Sequence, residues 1–375
     1  MADRSLKVIF CGTTDESRSR SWGKTNAFLL DQLKKNATVI GEIDYGINNR
    51  ILVFLHRIYC RIFLGQDSFR DSFLNFMMER KFILNYRKFF QKPDVFIHSG
   101  KICIPESLEN EAIHVLFSDA TIMGGIRYNG LKITRRHWKV LTRNNRKYDR
   151  RLNLIFTFNE WTRESLINDF SVMPGKVFNM GFGANLEPYN GQKDYNNGLI
   201  LTVLRRGLEK NKGLFMLLEG FKLARKKNGH LKLAVVGTTL EPMEGVEYYE
   251  GFPREKTIEL FRKASLFALP ATFEPNGMVY PEALASKTPI LGLNRLAFPE
   301  FSGYGKYGFI TEPEPGKIAE AILDAMSDPR KLQKMAAEGQ KFAVERYTWN
   351  NVVRRSLRTV EEHLQNLSAT VEGKS

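Results

Sequence analysis

Two glutamates, Glu274 and Glu282, lie in the run Phe273 to Pro289, F-E-P-N-G-M-V-Y-P-E-A-L-A-S-K-T-P. The run follows an apolar stretch with strand character, Leu266–Pro270, turns at Pro275 and Gly277, and enters helix formers at Glu282, Ala283 and Ala285. A helix starting near Met278–Pro281 accommodates Pro281 in its first turn, because the donor that proline lacks has no intrahelical partner there. Such a start presents free backbone N–H groups and a partial positive charge, a seat for phosphate. Carboxylates beside that seat are ill suited to phosphate but well suited to accept hydrogen bonds from sugar hydroxyls. A cationic run precedes this stretch in the chain: Arg205, Arg206, Lys210 and Lys212 stand between a strand at Leu199–Leu204 and a helix at Leu214–Lys226.

The elements that must hold these groups repeat through the chain. In the first half, strands are expected at Lys7–Gly12, Thr38–Ile43, Asp94–Ser99, His114–Ser118 and Asn153–Phe158, with a short run at Lys176–Phe182. Between them lie helices around Thr25–Lys35, Ile51–Leu64, Phe69–Phe90, Lys132–Arg151 and Trp161–Phe170. Strands alternating with helices specify a parallel sheet covered on both faces. Tyr189–Gly198 is polar and turn-rich and reads as a linker. The pattern then restarts with Leu199–Leu204, Leu231–Val236, Leu266–Pro270 and Pro289–Leu293 as strands and Leu214–Lys226, Thr257–Ala264 and Tyr280–Ser286 as helices. Leu214, Leu217, Leu218, Phe221 and Ala224 form one apolar stripe. The expectation is α/β, two Rossmann-like doubly wound domains over 1–189 and 190–348, facing across a cleft, with a polar helix over 349–375 crossing back.

The chain has 375 residues, which suits two domains better than one core. Its three cysteines (Cys11, Cys60 and Cys103) form no C-x-x-C pair, so neither a disulfide scaffold nor a cysteine-rich metal site is expected. With no long uncharged apolar run and no signal-like start, the location expected is cytoplasmic. The net charge of +15 is uneven: residues 1–190 hold 29 Lys/Arg against 19 Asp/Glu, and Arg127–Arg151 holds ten basic residues against Asp149 alone. Such a patch calls for an anionic partner.

The run E-P-N-G-M-V-Y-P-E-A-L-A-S-K-T-P resembles the E-x(7)-E signature of the retaining glycosyltransferases of family 4, usually met as E-P-x-G-x-x-x-x-E-A-x-A-x-G-x-P. Glu274, Pro275, Gly277, Glu282, Ala283, Ala285 and Pro289 are in register, with Lys287 where glycine is commonest. Leu199 to Phe221 is similar to the same family's V-G-R-L-x-x-x-K-G-x-x-x-L-L-x-A-F, with Leu204 in place of the usual glycine and a loop two residues longer. The resemblance covers most of residues 150–350 and is thin before that.

It implies a GT-B fold in which the C-terminal domain holds a nucleotide-diphosphate sugar and the N-terminal domain the acceptor, a glycan or lipid-linked molecule. Transfer would retain anomeric configuration and need no cofactor or metal, and no D-x-D run is present. Arg205 or Arg206, with Lys212, would neutralise the departing diphosphate, Lys210 competing with Lys212. Glu274 would hold the transferred sugar and Glu282 the ribose, with Asn276, Gly277, Met278 and Val279 among the donor contacts. Gly251-Phe-Pro-Arg-Glu is similar to a run that sits near the nucleoside base. Gly12 stands where the family places a Gly-rich loop. Asp119 stands about where it places a cleft histidine, His98 and His114 being strand residues. Cell-surface polysaccharide or glycolipid synthesis is the expected setting.

The basic segment reads as one helix with Trp138, Leu141, Tyr148 and Leu152 on an apolar stripe and Arg135, Arg136, Lys139 and Arg143 among its charges. Arg50, Arg57 and Arg61 also share a face of an otherwise apolar helix. Basic helices of this kind suit the surface of an anionic membrane, where peripheral contact is expected. Two other readings compete. A nucleic-acid-binding protein would use the same charges but leaves the glutamates idle and lacks a recognisable module, so no nucleic acid is expected. A sugar-nucleotide epimerase or a glycan phosphorylase would keep the fold and change the reaction.

Overall fold

A computed structural model describes residues 5–14, 22–47, 50–59, 62, 73–100, 102–184 and 186–372. The chain divides into two compact units, one of residues 1–123, 131–181 and 349–375, the other of residues 124–130 and 182–348.

The first sheet contains β1 (Lys7–Cys11), β2 (Thr38–Ile43), β3 (Val95–Ser99), β4 (Ile113–Ser118), β5 (Leu154–Thr157) and β6 (Val177–Asn179), in the order β2-β1-β3-β4-β5-β6. Every pairing is parallel. Between these strands run α1 (Trp22–Asn36), α2 (Arg50–Tyr59), α3 (Phe73–Tyr86), α4 (Ile122–Tyr128), α5 (Arg135–Arg151) and α6 (Glu160–Phe170). The second sheet contains β7 (Leu199–Val203), β8 (Lys232–Val236), β9 (Val246–Tyr249), β10 (Leu266–Ala268), β11 (Ile290–Leu293) and β12 (Gly308–Thr311), parallel throughout in the order β12-β11-β10-β7-β8-β9. Its helices are α7 (Leu214–Lys227), α8 (Arg254–Lys263), α9 (Val279–Ala285), α10 (Phe298–Phe301), α11 (Pro315–Ser327) and α12 (Pro329–Tyr347). The last helix, α13 (Trp349–Glu372), belongs to the first unit.

Period-two alternation explains why the second sheet is covered on both sides. Ile200, Leu233 and Val235 face the core made with α7 and α11, while Leu201, Ala234 and Val236 face the core made with α8, α9 and α12. The apolar stripe of α7 is buried throughout. The sequence reading missed both edge strands of this sheet, β9 and β12, together with α4, α10, α11 and α12. Tyr189–Gly198 is no free linker: Tyr195 is packed in the core, and the Lys193 ammonium is spent on the Phe261 and Ser286 carbonyls and on Thr288. The break between units falls earlier, after Gly181. Among the described residues no helix is long and apolar enough to cross a membrane.

His98 and His114 are fully buried on adjacent strands of the first sheet. His114 Nε2 donates to the Leu108 carbonyl at 3.0 Å, which leaves its Nδ1 to accept from His98 Nε2, also at 3.0 Å. Burial lowers both, His114 to about 4 and His98 well below the usual imidazole range. Because the folded-state values lie below the unfolded one, their contribution is complete above about pH 6.5 and is lost as pH falls toward 4. The first unit should therefore weaken over that window, with both imidazoles neutral until it unfolds. A native-state NMR titration showing either ring charging near pH 6.5 would contradict the buried neutral pair.

Candidate functional site

The strand order of the second sheet reverses between β7 and β10, and in open parallel sheets ligands bind beyond the carboxyl ends at such a point. The two loops that leave these strands, Leu204–Gly213 and Leu269–Met278, are tied together. The Asn211 carbonyl accepts from the amides of Thr272 at 2.9 Å and Phe273 at 3.2 Å, and from the Thr272 hydroxyl at 3.2 Å. Gly213 permits this approach: its φ is 72°, and a Cβ there would run into the Pro270 carbonyl.

The binding of the loops brings Lys212 and Glu274 together as an ion pair, with side chains 17% and 15% exposed. One Glu274 oxygen meets the Lys212 ammonium, and the other accepts from the Gly277 amide at 3.0 Å. The carboxylate is thus held from two sides at the entry to α9. Gly277 has φ 54°, and a Cβ on it would overlap the ring of Tyr280. Tyr280 is buried and anchors the loop, donating its hydroxyl to the Leu269 carbonyl at 2.8 Å. Burial, and after it the charge of Arg205, draw the Lys212 ammonium down to about 8.

The two arginines differ. Arg205 is exposed and close enough to Lys212 to act on its charge. Arg206 turns to Glu250, 2.5 Å away, with both side chains largely in solvent. Lys210 is exposed and Lys212 is the lysine at the pair. Glu209, which the sequence reading passed over, braces the same loop. It accepts from the Gly207 amide at 3.0 Å and the Thr238 hydroxyl at 2.8 Å. Its own amide and these contacts hold its carboxyl below the usual range.

Glu282 lies on α9 and accepts from Arg254 at 3.0 Å. Burial raises its carboxyl above the ordinary range, and Arg254 offsets part of this. Arg254 opens α8 within the Gly251-Phe-Pro-Arg-Glu run, so the sequence carried the signal for this contact without naming the residue. Of the neighbouring loop positions, Met278 is exposed and Val279 half-buried, and Asn276 is half-buried beside Gly277.

Gly12 and Asp119 belong to the first unit. Gly12 closes β1, donating its amide to the Ile43 carbonyl at 3.1 Å. The strand order reverses there as well, between β1 and β3, and Asn26 joins the two ends by donating to the Thr13 carbonyl and accepting from the Ser99 hydroxyl, each at 2.7 Å. Asp119 follows β4, half-buried, its carbonyl accepting from Thr162 at 3.2 Å. Among the described residues no group of three or more His, Cys, Asp or Glu side chains is placed to hold a metal ion.

The basic segment is helical from Arg135, with Arg135, Arg136 and Lys139 exposed. Three residues of its apolar stripe face inward: Trp138, Leu141 and Leu152 pack in the first unit's core, and Trp138 lies 5.8 Å from the Phe170 ring. Trp138 is therefore spoken for by the core and is no outward-facing aromatic. The side chains of Arg143, Tyr148, Arg50 and Arg57, and all of Arg61, lie outside the described residues.

Residues 190–342 match the family model described as Glycosyl transferases group 1. A mannosyltransferase of Mycolicibacterium hassiacum, the MMP alpha-(1->4)-mannosyltransferase, is 22% identical over 62% of this chain and 60% of its own length. The chain spans between 30% and 60% of the lengths of the first curated relatives it matches. Among solved structures, a glycosyltransferase from Rickettsia africae shares the fold with a TM-score of 0.65 at 14% identity, over 96% of this chain and 99% of that one. Anabaena HepE in complex with UDP does so with a TM-score of 0.64 at 16% identity, over 95% and 100%. The two six-stranded parallel sheets are thus a GT-B fold, and the second sheet lies within the segment, residues 190–342, that is similar to the group 1 glycosyl transferases.

Proposed function

We propose that the protein is a glycosyltransferase that takes a sugar from a nucleotide-diphosphate donor and passes it to a glycan or lipid-linked acceptor. The observation that carries this is the partly buried Lys212–Glu274 pair at the β7/β10 reversal, within the segment matching the group 1 family. In transfer, the bond from the anomeric carbon to the diphosphate oxygen breaks and the acceptor hydroxyl oxygen takes its place, losing its proton. Negative charge grows on the departing diphosphate, and fixed cations held in a water-poor site stabilise that charge strongly. We assign this role to Lys212, with the exposed Arg205 adding its charge, in place of a resident metal or other cofactor. Glu274 accepts from hydroxyls of the transferred sugar, Glu282 from the ribose, and Asn276 to Val279 line the donor. Gly12 and Asp119, on the first unit's strand ends, are assigned to donor phosphate and acceptor. Retention of configuration belongs to the proposal and rests on the resemblance of the Glu274–Pro289 run to retaining enzymes. A cytoplasmic enzyme of polysaccharide or glycolipid synthesis, held near an anionic membrane by the exposed Arg135, Arg136 and Lys139 together with Arg143, fits the charge distribution.

The test is release of nucleoside diphosphate from a panel of nucleotide sugars, with and without glycan and lipid-linked acceptors. Acceptor-dependent release with a new glycosidic product supports the reading. Isomerised donor without transfer, or salt-sensitive retention on nucleic acid with no donor turnover, would replace it. Glu282→Ala should weaken nucleoside diphosphate binding by about 1 to 3 kcal/mol, the cost of lost hydrogen bonds to a charged group. Unchanged affinity by calorimetry would remove the ribose assignment.

A further inference from the structure

The outward face of α2 is apolar. Ile51, Phe54, Leu55, Ile58 and Tyr59, followed by Ile62, are between 39% and 72% exposed. Within α2, at 100° per residue, Ile51, Phe54, Leu55, Ile58 and Tyr59 fall within an arc of about 140°, one continuous stripe along the helix. His56 is buried on the other side, and Leu52 and Val53 are half-buried. The helix is therefore seated on the first unit by its polar-bearing inner face and turns its larger apolar side chains away from the core. A contiguous exposed stripe of this size on a soluble domain marks an interaction surface.

We propose that this stripe inserts into the interfacial layer of an anionic lipid bilayer. Charge selects the occupant. Arginines enter α2 at positions 50 and 57, about 20° apart on the helical wheel and about 120° from the centre of the stripe. Cations spaced to the side of an apolar stripe are the sequence pattern of a helix that lies flat at a membrane surface. The half of the chain that contains it holds 29 Lys/Arg against 19 Asp/Glu, and α5 of the same unit exposes Arg135, Arg136 and Lys139. A second copy would bring like charge against like charge. At ten residues, α2 is too short to span a bilayer. The two helices then divide the work: α5, whose Trp138 packs inward, contributes attraction only, and α2 contributes insertion. This deepens the membrane contact proposed above and is independent of the donor site.

The test uses the full chain with vesicles of phosphatidylcholine alone or mixed with phosphatidylglycerol. Wild-type protein should sediment with the mixed vesicles only. Phe54→Ser/Ile58→Ser, which alters two exposed side chains, should lower partitioning on the order of 100-fold, since each large apolar side chain contributes a substantial share of such binding. A second variant keeps the apolar face: Phe54→Trp should bind normally, with an added emission that shifts to the blue and is quenched by brominated lipid. Wild-type protein that ignores anionic vesicles, a double variant that partitions normally, or F54W emission unchanged on binding would each overturn the proposal. So would a solution dimer that the double variant converts to monomer. The stabilisation given by nucleoside diphosphate, read in the same samples, should be identical in all variants, so failure of insertion and failure of the donor site are separate results.

Discussion

Replacing Lys212 with alanine will slow sugar transfer on the order of a hundredfold or more, the usual loss when one preorganised charge contact to a developing anion is removed. Lys212 owes this to its position: it is 17% exposed, and its nearest countercharge is Glu274. Two effects must be kept apart, because removing one member of a buried pair also leaves the other uncompensated and destabilises the fold. Lys212→Met combined with Glu274→Gln removes both charges, and it should fold while remaining inactive. The pH dependence adds a sign. The ammonium lies at about 8 in the free protein, so affinity for nucleoside diphosphate should fall as pH rises past that value. Near-normal turnover by Lys212→Ala, or a flat affinity between pH 7 and 9 (roughly one unit either side), would show that this lysine does not face the diphosphate.

The second large effect separates Arg205 from Arg206. Arg205→Ala should cost on the order of a hundredfold in turnover, because its positive charge acts on Lys212 and adds to the same local field. Arg206→Ala should cost little, since Arg206 is directed to Glu250 in an exposed pair of the kind that contributes about 0 to 1 kcal/mol. Measuring kcat for both variants at saturating donor decides the matter. Equal losses would mean that Arg206 leaves Glu250 when donor binds, and the reverse ranking would exchange the assignments.

Much of this was legible before any coordinates. Interior strands announce themselves as apolar runs because both faces are covered, which is why β7, β8, β10 and β11 were found close to their observed limits. The edge strands β9 and β12 were not. Val-Glu-Tyr-Tyr is half-exposed and Gly-Phe-Ile-Thr opens on glycine, so neither presents a continuous apolar signal. The glutamates and Lys212 were found by spacing and resemblance, but their pairing was not, since it depends on the Asn211 carbonyl and the strand-order reversal that bring two distant loops together. Arg254 escaped for the same reason: its partner Glu282 lies on another helix. The basic helix reads as amphipathic from its periodicity, but periodicity gives a stripe without saying whether core or solvent lies beneath it. Phe170, far along the chain, settles that for Trp138.

The second unit should hold a nucleoside diphosphate at the Lys212–Glu274 pair, and thermal unfolding with a panel of nucleoside diphosphates measures this. One of them, at 100 times its dissociation constant, should stabilise the protein by about 2.7 kcal/mol. That gain should shrink sharply in Lys212→Met/Glu274→Gln and persist in Arg206→Ala. If no nucleoside diphosphate stabilises the wild-type chain, or if the double variant is stabilised as much as wild type, the Lys212–Glu274 pair is not the donor site.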